Sequence, residues 1–136
     1  MIQKIKLLLV AFATFLALSP SAVAQSKFDK WPELMAFHGV MSSTFHPSEE
    51  GNLEPIKAKI GEMVKLAEDM QKAEIPAEFN KKEVKDAVGK LTADSKTLKK
   101  MIQNKESDEA ITKALSALHD TFHTIVEKCS HTEEHH

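Results

Sequence analysis

The chain has 136 residues, 18 lysines against 20 acidic side chains, a net charge of −2, and no Arg or Tyr. Nucleic-acid readers and phosphate clamps lean on the planar fork of Arg, which binds two acceptors at once, so a mildly acidic Arg-free chain is a poor fit to either role. A single cysteine, Cys129, excludes an internal disulfide as a fold staple.

The chain opens on MIQKIK, with Lys4 and Lys6. An uncharged apolar run of twelve residues follows, from Leu7 to Leu18, and then SPSAVAQ with small residues at Ala22 and Ala24. Charged start, apolar middle and an A-x-A site read as a secretory signal peptide, residues 1–24, cut after Ala24. The run is too short for a membrane anchor, which needs roughly 20 residues, and no cysteine near the cut invites lipid attachment. The mature chain, Gln25 to His136, has 112 residues. Without Lys4 and Lys6 it sets 16 lysines against 20 acids, a net charge of −4. The expectation is one exported domain, periplasmic or secreted, with no membrane span after cleavage.

Four amphipathic segments follow the helical period, and no stretch alternates like a strand. The first runs from about Asp29 to Phe45. Pro32 lies in its first turn, where a missing N–H costs nothing, and Leu34, His38, Met41 and Phe45 form its stripe. HPSEEGN closes it. The second runs from about Leu53 to Ala73, with Ile56, Ile60, Met63, Ala67 and Met70 inward, and EIPAEFN is the next break. The third starts after Asn80, which is placed to cap it with Glu83 in a capping box. It carries Val84, Ala87, Val88, Leu91, Leu98, Met101 and Ile102. Ser107 caps the fourth, which runs to about Cys129 with Ile111, Leu115, Leu118, Phe122 and Ile125 inward. Short connections predict an all-α, up-down-up-down antiparallel four-helix bundle over residues 25–128, followed by a polar His-rich tail, 129–136. Cys129, at a frayed helix end, is expected to react with thiol reagents.

The histidines carry the chemistry. At about 100° per residue, His38 falls centrally in the stripe of helix 1, where an imidazole needs a partner. Ser42, Ser43 or a carbonyl would serve a structural His; an ion would serve a ligand. His119 and His123 stand one turn apart at the edge of the helix 4 stripe, a spacing that brings two ring nitrogens to one ion. In an antiparallel bundle His38 and this pair lie at similar depth. Three histidines thereby converge from two helices. His46, at the end of helix 1, is a further candidate, although a histidine there also suits the helix dipole. Met35 and Met41 are soft thioethers near His38, core filling by default and ligands otherwise. Cys129, His131, His135 and His136 in the tail offer soft and borderline donors.

The segment HDTFH, residues 119–123, resembles the end of the last helix in cytochrome c-prime. His119 and Phe122 stand where that family has its two haem-attaching cysteines, and His123 stands at the haem-ligating position. The related soluble periplasmic b-type cytochrome has the same four-helix architecture without such cysteines, and its second ligand is an early helix 1 Met. The resemblance implies haem b held by His123, with His38 or Met35 as the other axial ligand, and electron transfer as the function.

Two principal readings follow. In the first, the bundle binds a transition ion (Cu, Zn or Ni) through His38, His119 and His123, with His46 as a further ligand, and buffers or carries it in the periplasm. In the second, it is a haem-b electron carrier. A bundle with no cofactor, serving as an interaction module, is the third. No nucleophile stands next to a base and no inward carboxylates pair, so an enzyme is not expected. The ion is preferred because it explains His119, which haem does not require. Mass spectrometry of the exported protein is expected to find Gln25 at the N-terminus; a membrane-associated chain still starting at Met1 would refute the cleavage.

Overall fold

A computed structural model describes residues 28–130; the expected signal peptide and the tail histidines His131, His135 and His136 lie outside them. Four helices fill this span: α1 Pro32–Glu49, α2 Glu54–Lys72, α3 Lys82–Gln103 and α4 Asp108–Ser130, with a 3-10 turn at Ala77–Phe79 before α3. No strand occurs among the described residues.

Three contacts place α4 alongside α1. Phe45 stacks on His119, while Phe37 and His38 stack on Phe122. Numbers rise along α4 as they fall along α1, so the two helices are antiparallel. Likewise, the Thr92 hydroxyl donates to the Ala67 carbonyl at 3.2 Å and Gly89 lies beside the Gln71 side chain, so numbers fall along α2 as they rise along α3 and these two helices are antiparallel. At the other seam Lys81 reaches the Lys128 carbonyl, joining the start of α3 to the end of α4. The all-α bundle anticipated from the periodicity is the fold.

The stripes of α2 and α4 are buried as their period predicts: Ile56, Ile60, Met63, Ala67 and Met70 on one, Ile111, Leu115, Leu118, Phe122 and Ile125 on the other. Each fully buried large side chain contributes about 1.5–3 kcal/mol relative to exposure, so these two stripes alone bring much of the core's cohesion. Salt links such as Lys65–Asp69 and Lys82–Asp86 are exposed i,i+4 pairs that solvent screens, and they add little to the fold.

The helix ends depart from expectation in three places. Helix α1 does not stop at Phe45 but runs through Pro47 to Glu49. Pro47 forfeits one hydrogen bond in the final turns, and Gly51 then closes the helix with φ 82°. The Asn52 N–H donates to the Pro47 carbonyl at 2.9 Å and the Gly51 N–H to the Ser48 carbonyl at 3.1 Å. That pair of bonds is a Schellman cap, which requires the left-handed conformation that glycine adopts without strain. Helix α3 begins at Lys82, not directly after Asn80, and has no side-chain cap hydrogen bond, so the Asn80–Glu83 capping box does not form. By contrast, the Ser107 hydroxyl accepts the Ala110 N–H at 3.2 Å, as expected of an N-cap.

The end of α4 is a correction as well. Cys129 is fully buried in the common core and α4 continues to Ser130, so the polar tail starts later than residue 129. Phe79, in the 3-10 turn, is equally buried and stacks against Trp31 with ring centroids 6.0 Å apart. Trp31 Nε1 is the buried side-chain polar atom without a hydrogen bond among the described residues. Its unmet donor costs about 1–3 kcal/mol, against the burial and stacking of a large aromatic. Because Cys129 is packed inside the core, it is expected to resist a thiol reagent in the native protein and react at a rate set by unfolding. Fast native-state modification of Cys129 would place its side chain outside the core.

Candidate metal-binding groove between helices 1 and 4

Phe37, Val40, Thr44 and Ser48 are buried on α1 together with Leu34 and Met41. Including them turns the centre of the buried stripe by roughly 60° from the Leu34–His38–Met41–Phe45 line, at about 100° per residue. His38 therefore lies on the flank and is exposed, not at the centre of the stripe as its spacing suggested. Neither Ser42 nor Ser43 is bonded to it; the Ser43 hydroxyl donates to the Val40 carbonyl. The flank that carries His38 faces α4. Its ring lies parallel to Phe122, with centroids 5.5 Å apart and planes 2° from parallel.

Two turns toward the C-terminal end of α1, Phe45 lies flat on His119, with centroids 3.7 Å apart. This contact fixes the plane of His119 from one side. On the other side is His123: the two Nε2 atoms are 3.1 Å apart and the rings nearly perpendicular, at 76°. Their backbones stand four residues apart on one helix, so the closeness follows from the i,i+4 spacing. His119 is half-buried and His123 exposed.

A small opening of about 50 Å³ lies between the two helices, lined by His38, Met41, Ser42, Phe45, His46, His119, Phe122 and His123. All four helix 1 and helix 4 histidines thus face one feature. His46 also pairs with Glu49 at 3.4 Å across an exposed surface. Met35, half-buried on another side of α1, does not line the opening; Met41, buried, does. Larger concavities exist elsewhere, one of about 390 Å³ between Gln71, Ile75, Asn80 and Lys85, but they gather no comparable set of donors.

Electrostatics bear on which protonation states the pair can adopt. Burial holds the His119 imidazolium below its ordinary pKa, and the neighbouring His123 and His46 push the same way, while Asp120 and Glu49 oppose them. At 3.1 Å one Nε2 must donate and the other accept, so both nitrogens cannot carry protons in this geometry. A neutral imidazole is the form that binds a metal. Two nitrogens 3.1 Å apart can both stand roughly 2.0–2.1 Å from one ion, at an angle of roughly 95–100°. The pair can serve as a bidentate unit once the donating ring carries its proton on Nδ1 instead and both rings turn their Nε2 lone pairs toward one point.

Among the described residues no group of three His, Cys, Asp or Glu side chains stands placed to hold a metal ion. The three-histidine convergence expected from helical depth is met in neighbourhood: His38 reaches the groove but stacks on Phe122, and the tight unit is His119 with His123. Phe45 and Phe122, which form the walls, were assigned only as apolar stripe residues, because nothing in a single sequence distinguishes a ring that packs inward from one that covers a histidine.

Comparison with protein-family models, with curated proteins and with solved structures returns no match to this chain. The functional reading therefore rests on the groove itself.

The depressed His119 pKa has a definite consequence for stability. The folded state resists a proton that the unfolded chain accepts near pH 6.5, so the stabilisation tied to neutral His119 is complete above that value. It is lost as pH falls through the lower folded pKa. His119 is expected to titrate below its ordinary value of 6.5 in an NMR pH series, and His119→Gln to flatten the fall in melting temperature between pH 7.5 and 5. A His119 that titrates at or above 6.5 would contradict the packing described.

Proposed function

We propose that this protein is an exported four-helix bundle that binds a transition metal ion, Cu, Zn or Ni, in the groove between α1 and α4, and that it buffers or carries the ion in the periplasm. The observation that carries the reading is the His119–His123 pair, with its Nε2 atoms 3.1 Å apart and one ring clamped under Phe45. His38 and His46 line the same opening and are the side chains available to complete the shell after a rotamer change. Water or Glu49 beside His46 would supply any remaining position. Binding, and not catalysis, is the role in this reading, because the groove holds ligand-type donors and no nucleophile paired with a base.

Haem b, held by His123 with His38 or Met35 on its other face, is the second reading. The groove favours the ion. An opening of about 50 Å³ suits an ion or a water, whereas even drug-sized ligands occupy about 300–1,000 Å³. Phe122 packs against His38 and its ring centroid lies 6.4 Å from that of His123, in the space a macrocycle would need. Met35 does not border the opening. The four-helix architecture is compatible with either reading. Among the described residues no helix is long and apolar enough to cross a membrane.

The test is a titration of the full-length chain in which His131, His135 and His136 are replaced by Ala, so that tail histidines do not compete. Cu(II), Zn(II) or Ni(II) is expected to bind once per chain, more tightly as pH rises through the imidazole range. His119→Ala or His123→Ala is expected to weaken binding by about 100-fold or more, beyond the 10–100-fold typical of losing a ligand's outer partner. Binding indifferent to both substitutions would overturn the reading. A Soret band in protein isolated from its native compartment, retained in His119→Ala and lost in His123→Ala, would establish haem instead.

A further inference from the structure

Resting on that reading of the groove, we infer that the ion it is built to hold is copper in its cuprous state, with the Met41 thioether as the third ligand beside His119 and His123. The donor inventory leads there. His119 and His123 supply two imidazole nitrogens 3.1 Å apart; of the other donors on the opening, His38 is stacked on Phe122 and His46 is paired with Glu49. A thioether remains. Met41 is 1% exposed yet borders the same opening, so its side chain sits between the core and the histidines. Imidazole alone accepts copper, zinc and nickel with little discrimination, whereas a thioether is a soft donor that selects Cu(I) and adds little for Zn(II) or Ni(II).

The walls point the same way. Phe45 and Phe122 cover the groove from both helices, and cuprous ion accepts few ligands without calling for the water or carboxylates that complete a harder ion's shell. A divalent ion would also bring twice the charge up against the buried Met41 and Phe122, and the cost of taking an ion out of water grows with the square of its charge.

The experiment uses the full-length chain carrying the three tail His→Ala substitutions, kept anaerobic with ascorbate, with Cu(I) delivered in competition with bicinchoninate. One Cu(I) per chain is expected, with sulfur and imidazole nitrogen both visible in the X-ray absorption spectrum. Met41→Leu, which conserves volume and is well tolerated in cores, is expected to weaken Cu(I) binding by about 100-fold or more and to remove the sulfur signal. It should leave Zn(II) binding unchanged. Met101→Leu, on α3, controls for loss of a methionine elsewhere. Cu(I) held as tightly by Met41→Leu, or a sulfur signal that persists in it and so belongs to Cys129, would overturn the inference. If Met41→Leu fails to fold, the absorption spectrum of the parent chain decides alone, and nitrogen-only coordination refutes Met41. Zn(II) or Cu(II) binding that depends on the histidines alongside Cu(I) binding that ignores Met41 defeats this inference while the His-pair reading survives. Binding of none of these ions defeats both.

Discussion

The ring contacts between the first and last helices set the geometry on which every site argument depends. The seams α1–α2, α2–α3 and α3–α4 join helices adjacent in sequence, and short connections keep those helices together. The α1–α4 seam has no such connection and is closed by side chains. Phe37 and His38 against Phe122, and Phe45 against His119, lock the two helices in one register. Aromatic pairs of this kind add about 0.5–1.5 kcal/mol each beyond their buried area. A slide of one turn, about 5.4 Å, would break these stacks and carry His38 and His46 away from the His119–His123 pair. The same rings thus close the bundle and assemble the donors.

The bundle was legible because periodic burial is a cooperative signal. A helix such as α4 repeats its message at Ile111, Leu115, Leu118, Phe122 and Ile125, and a misjudged residue does not alter the sum. The site was less legible because it depends on single residues at the margins of stripes. His38 was placed at the centre of a stripe from four positions, and the omitted Phe37, Val40 and Thr44 moved that centre away from it. Helix α1 is apolar on several faces, so its burial direction was poorly determined by pattern alone. The approximate depth of His38 relative to His119 and His123 was nevertheless recoverable, since it follows from helical rise and antiparallel order. The rotation that leaves His38 on Phe122, instead of on the ion position, is set by tertiary packing.

The ends of helices misled for a related reason. Pro47 reads as a stop, but proline only removes one bond and restricts its predecessor, and four further residues reach the glycine that supplies the real cap. Cys129 reads as frayed because a polar tail follows it, yet it stands seven residues after Phe122 and four after Ile125 and so shares their inward face. Phe79 sits in a segment too short for periodicity, where nothing but tertiary contact with Trp31 signals its burial.

The desolvation that keeps His119 neutral also bears on the ion it can hold. Removing water from an imidazolium and removing water from a metal ion are costs of the same origin, so a groove that disfavours one positive charge must offset the other with ligand bonds and nearby acids. Asp120 and Glu49 already lie close enough to counter part of the field at His119, but neither joins a preformed three-donor cluster. In the proposed site that partial negative field would balance a single positive charge more fully than a double one. A metal site of the proposed construction would discriminate by charge as well as by donor softness. The two criteria would coincide there, since Met41 and Phe122 belong to the buried core and Phe45 packs against it.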